Sequence, residues 1–72
     1  MRKIEFENGE VYGTNNNEGG LFKQHSVNGN WIQLQGNSQS PYFTKISKFV
    51  AYVRLVKRHL KDIKVTSSFG WD

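Results

Sequence analysis

The 72-residue chain has no cysteine, one proline and one methionine. Without cysteine it can form neither a disulfide framework nor a thiolate metal site, although a domain this small usually needs such a staple. No stretch approaches the roughly 20 apolar residues of a membrane span. The basic start, Met1-Arg2-Lys3-Ile4-Glu5, is followed by no apolar run, so a signal peptide is not expected. These absences suit a reducing, cytoplasmic setting.

Recognisable chemistry is also scarce. His25 and His59 lie on different predicted elements, and neither sits in a Glu-x-x-His or His-x-x-x-His spacing. Zinc needs about four ligands, and no such set is legible. Gly19-Gly20 is followed by neither Gly-Lys-Ser/Thr nor a helix start, so it is not a phosphate loop. No serine has a positioned base. A two-residue turn would set Glu7 opposite Glu10, which would raise a carboxylate pKa only if the pair were desolvated. A chain this short also struggles to enclose a pocket of several hundred Å3. The expectation is a non-enzymatic protein that needs no cofactor and no metal.

What the chain does have is turns, aromatics and one-signed charge. Residues 3–7 and 10–14 read as strands around Asn8-Gly9, the composition of a two-residue type I′ turn. Phe6 then faces Val11, and Ile4, Phe6 and Val11 share the buried side. A second hairpin, 21–27 with 30–35, is expected around Asn28-Gly29. Pairing Val27 with Asn30 puts Leu21, Val27, Ile32 and Leu34 on one face, with Lys23 and His25 at its edges. Phe22, Gln24, Trp31, Gln33 and Gln35 take the other. Beyond the loop at 36–41, Ile46, Phe49, Val50, Val53, Val56, Leu60 and Ile63 recur every three or four residues, the period of an amphipathic helix. The predicted fold is α+β: a small antiparallel sheet of three to five strands, built from two Asn-Gly hairpins and packed by one long C-terminal helix. Its single domain divides into hairpins (1–43), helix (44–64) and tail (65–72). Trp31, Phe69 and Trp71 are candidates for either core or surface.

The net charge of +4 is unevenly spread. Lys45, Lys48, Arg54, Lys57, Arg58, Lys61 and Lys64 are accompanied by one acid, Asp62. Elsewhere Arg2, Lys3 and Lys23 are outnumbered by Glu5, Glu7, Glu10, Glu18 and Asp72. On a continuous helix Arg54, Lys57, Arg58 and Lys61 form one ridge beside the apolar face, while Lys45 and Lys48 lie on the other flank. Such a ridge suits a polyanion, though long basic stems also cover core edges with their charges in water. Phe22 and Trp31, among amides, offer a surface on which bases could stack. Strands first and a long helix last is similar in layout alone to one group of single-stranded-DNA binders. It is also similar to the arm-binding domains of phage and transposon integrases. In small size and Asn/Gly richness the chain looks like a phage or mobile-element product.

Two functions follow as expectations. One is a DNA- or RNA-binding module that uses Arg54, Lys57, Arg58, Lys61, Lys45 and Lys48 on phosphates and Trp31 and Phe22 on bases. The other is a small phage-type inhibitor or adaptor that puts the same basic surface against an acidic host protein. A homodimer would cover the apolar arc where Tyr52 and Leu55 widen it.

Overall fold

Alternation of inward and outward residues draws Arg2–Phe6 into the first strand, β1, with Arg2, Ile4 and Phe6 buried. The computed structural model describes residues 1–71. Beyond β1 come β2 (Val11–Asn15), β3 (Gly19–Gln24), β4 (Trp31–Gln35), helix α1 (Ile46–Val56), a 3₁₀ turn (Arg58–Leu60) and β5 (Val65–Phe69). The five strands form one antiparallel sheet in the order β4-β3-β2-β1-β5, and the chain is α+β. The core comprises Ile4, Phe6, Tyr12, Leu21, Phe43, Phe49, Val53 and Leu60. Phe6 meets Tyr12 edge to face with ring centroids 5.9 Å apart, and Phe43 meets Phe49 at 5.2 Å. Fully burying an aliphatic or aromatic side chain of this size contributes about 1.5–3 kcal/mol.

Both turns differ from the expected two-residue form. The Gly9 N–H donates to the Phe6 carbonyl and the Phe6 N–H to the Glu10 carbonyl, both at 2.9 Å. The connection is therefore Glu7-Asn8-Gly9, with only Gly9 at positive φ (92°). The Asn8 side chain accepts the Glu10 N–H at 3.0 Å, a local bond that replaces the left-handed conformation a type I′ turn would require of it. Glu5 consequently faces Val11, and Ile4 faces Tyr12. The one-residue slip exchanges the faces of β2, so Tyr12 rather than Val11 fills the core.

In the second hairpin Gln24 faces Trp31, Lys23 faces Ile32 and Phe22 faces Gln33. The register has moved by two residues, which preserves which side chains share a face. His25 and Asn30 now flank a longer loop, bridged by a 2.7 Å bond from the His25 N–H to the Asn30 carbonyl. Val27 is expelled into that loop, 87% exposed, and Ile32 and Leu34 are exposed as well. A register irregularity between Leu21 and Phe22 puts Gln35 opposite Leu21, away from the face expected for it.

The helix is shorter than its period implies, and the last residues form a strand. α1 starts at Ile46 behind Lys45, whose side chain makes no capping bond. It ends at Val56, where Lys57 takes φ −107° and ψ 78°. β-Branched Ile46, Val50, Val53 and Val56 have modest helix propensity. The break also lets the 3₁₀ turn swing Leu60 into the core. Val65–Phe69 then pairs with β1, Lys3 facing Phe69 and Ile4 facing Ser68. Residues 65–69 are thus an edge strand, not a tail, and the helix is not C-terminal. Tyr52 does not widen a free apolar arc: its hydroxyl donates to the Gln35 side chain and lies 3.1 Å from the Gln39 carbonyl.

Arg2 closes this packing. It is 7% exposed, and its guanidinium donates to the Phe43 carbonyl and, at 3.0 Å, to the Asn15 carbonyl. Its central carbon lies 4.6 Å from the ring centroids of both Tyr42 and Trp71. The Trp71 indole N–H donates to the Lys3 carbonyl at 3.2 Å. A buried cation is tolerated when carbonyls and aromatic faces replace its water, and here they tie the last described residue to the first strand.

Candidate nucleic-acid interface

The sheet has a covered and an open face, and the anticipated site residues divide between them. The row Ile4–Tyr12–Lys23–Ile32 lies on the helix side. The neighbouring row Lys3–Gly13–Phe22–Gln33 points the other way. Trp31 belongs to the open face. A Cβ placed on Gly13 would lie 2.8 Å from the Trp31 six-membered ring and 2.8 Å from the Met1 side chain. Glycine at position 13 therefore makes room for an indole that crosses from β4 onto β2, leaving Trp31 half-buried. Phe22 is half-buried on the same face, whereas Phe69 is 61% exposed.

The basic residues of 45–64 belong to α1 and the segment behind it, on the covered side. They do not form the continuous ridge expected, because the helix ends at Val56. Arg54 is partly consumed by the fold. It donates to the Ile63 carbonyl at 2.8 Å and lies 5.9 Å from the Phe6 ring centroid. It thereby pins the segment after the 3₁₀ turn to the helix. Arg54, Arg58 and Lys61 still line one shallow depression, whose floor is Ala51 and Leu55. Lys57 does not line it. Lys45 and Lys48 are exposed at the other end of α1. Among the described residues, Lys45, Lys48, Lys57, Arg58, Lys61 and Lys64 form no ion pair.

A second arrangement was not legible in the sequence. The Glu10 carboxylate takes the Tyr12 hydroxyl at 2.7 Å and the Asn8 amide at 2.6 Å. It also meets Lys23 Nζ at 3.3 Å and His59 Nε2 at 3.0 Å. Partial burial pushes its pKa up, but bonds from Tyr12, His59, Asn8 and Lys23 outweigh that and bring it down to about 2. Glu10 is therefore a firm anion, not the proton-holding carboxylate that a desolvated Glu7–Glu10 pair would have produced. Burial first, and the Glu10 carboxylate second, push the Tyr12 phenol above the ordinary range. The cluster joins the first hairpin, β3 and the 3₁₀ turn. It also occupies Lys23 and His59, two of the cationic or potentially cationic groups of the covered side. The local clue was Asn-Gly-Glu-x-Tyr, but the partners from Lys23 and His59 depend on tertiary structure.

Comparison with protein-family models, curated proteins and solved structures finds no match. Among the described residues no helix is long and apolar enough to cross a membrane.

Proposed function

We propose that this chain is a non-enzymatic nucleic-acid-binding module that holds the sugar–phosphate backbone through its helix side. Arg58 and Lys61 are the central contacts, Lys57 and Lys64 flank them, and Lys45 and Lys48 extend the surface along α1. The observation that carries the reading is a cationic segment almost empty of acid, none of whose seven basic residues has an ion-pair partner among the described residues, Arg54 alone being bonded to a backbone carbonyl. Unpaired cations of one sign are what counterion release from a polyanion requires. Phe22 and Trp31 face away from this surface, so the reading favours backbone contact over base stacking. The test is binding of duplex and single-stranded oligonucleotides across a salt series. Arg58→Glu should weaken binding, and Trp31→Ala should leave the salt dependence unchanged. An unaltered affinity for Arg58→Glu would remove the proposal.

One observation favours the alternative of an acidic host-protein partner. Leu55 is 65% exposed and, with Ala51, forms an apolar floor between Arg54, Arg58 and Lys61. An apolar centre inside a charged rim is the anatomy of a protein interface. Leu55→Asp separates the readings. It should abolish capture of a protein partner that survives nuclease treatment, yet lower nucleic-acid affinity only by the cost of one added negative charge.

A further inference from the structure

We propose that the groove along the outer side of α1 is the docking site for a short acidic, amphipathic helix of a partner protein. The inference rests on the acidic-partner reading above and gives that partner its form. The depression floored by Ala51 and Leu55 does not end at Ala51. A second one, lined by Ile46, Ser47, Val50, Lys64 and Val65, shares Ala51 and Arg54 with it. Together they run from the first to the last turn of α1, beside the segment that leads into β5. The floor is apolar along its length: Ile46, Val50 and Val65, then Ala51, then Leu55, which is 65% exposed. Arg54, Arg58, Lys61 and Lys64 stand along it, and among the described residues no acid lines either depression.

Shape and charge together select this occupant. Ser47, Ala51 and Leu55 follow one another at four-residue spacing and form one row on α1. Its two small members let a second helix axis come close, and Leu55 is the knob around which that helix packs. From Ser47 to Leu55 the row rises about 12 Å, which three turns of a partner helix cover. Apolar residues recurring every three or four positions would meet the floor, and carboxylates beside them the four cations. A phosphate backbone uses the cations but leaves Leu55 and the apolar floor in water. A second copy of this chain opposes like charges, because α1 contains Lys48 and Arg54 and no acid. An extended peptide would have to add to β5, where Val65 faces Phe6 and Ser67 faces Glu5, so Thr66 is a bulge that blunts the edge. The groove shares Arg58, Lys61 and Lys64 with the proposed phosphate contacts. The partner helix and nucleic acid therefore exclude each other, which makes the acidic protein a regulator of the same surface.

The probe is a fluorescein-labelled, helix-stapled peptide of about 16 residues, with leucines at every third or fourth position and glutamates between them. Its control has the same composition, with the leucines spread around the helix. Fluorescence anisotropy with the full chain, without nucleic acid, should show the amphipathic peptide binding at least about tenfold more tightly than the control. Leu55→Ser should weaken it at least about tenfold. Ser47→Gln crowds the other end of the row without adding charge and should weaken it at least about fivefold. Both positions are exposed, and circular dichroism melts would show that the variants fold. Equal binding of the two peptides, or no binding up to ~1 mM, would overturn the proposal. A loss with Leu55→Ser but none with Ser47→Gln would also overturn it. That last result would confine contact to the depression at Leu55 and leave the acidic-partner reading standing.

Discussion

Replacing Glu10 by Gln keeps the shape of the side chain and removes the charge on which four donors converge. A carboxyl whose pKa falls from 4.5 to about 2 on folding favours the folded state above pH 4.5. By linkage the full shift would correspond to roughly 3 kcal/mol. Lys23 and His59 have side chains 38% and 57% exposed, so solvent screens much of their share. A loss of about 1–2 kcal/mol is the better expectation. For a domain of this size each 1 kcal/mol moves the melting temperature by about 4–8 °C. Glu10→Gln should therefore melt roughly 5–15 °C lower at pH 7. The sign follows from the lowered pKa: the unfolded chain takes up the proton first as pH falls. The native advantage is complete above about pH 5 and is lost between there and pH 2. Thermal melts of both proteins at pH 7, 5, 4, 3 and 2.5 measure it. The gap should close as pH falls. A gap that is absent at pH 7, or that persists unchanged to pH 2.5, would refute the assignment of Glu10 as the ionic tie between hairpins and helix end.

Arg2→Lys keeps the charge but loses the planar fork and the stacking on Tyr42 and Trp71, and should cost about 1–3 kcal/mol in urea denaturation. Gly13→Val puts side-chain atoms where the Trp31 ring lies, so it should red-shift indole fluorescence and destabilise by about 1–3 kcal/mol. Arg54→Ala should be measured as a stability variant: losing its bond to the Ile63 carbonyl and its contact with Phe6 should lower the urea midpoint by about 1–2 kcal/mol equivalent.

The sequence was informative where a local period decided the structure. Ile4 and Phe6 alternate into the core, and Phe49 and Val53 mark the buried side of α1. Phe22 and Trp31 share a face even though their hairpin moved by two residues, because an even shift preserves parity. The end of the helix was hidden by the same period that revealed its start. Val56, Leu60 and Ile63 continue the apolar spacing, yet Leu60 reaches the core from a 3₁₀ turn. β5 was obscured by Thr66, Ser67 and Ser68, whose polarity resembles a tail until β1 offers its free edge. Arg2 could not be read as buried, since its surroundings come from Phe43, Tyr42 and Trp71, far along the chain. The candidate site suffered most. A helical wheel gives Arg54 and Arg58 the same standing, but one is bonded to Ile63 and the other is exposed. It also cannot show that Trp31 and the basic residues occupy opposite sides of a sheet.

The central claim is that the helix side meets a polyanion through unpaired cations. The most direct measurement is the salt dependence of duplex binding for the native chain and for the Arg58→Glu/Lys61→Glu double variant. If four to six phosphates are neutralised, log affinity should fall against log salt with a slope of about −4 to −5. The double variant should bind more weakly at every salt concentration, its slope shallower by about 2. A native chain that does not bind at low salt, or two proteins with the same slope and affinity, would contradict the account.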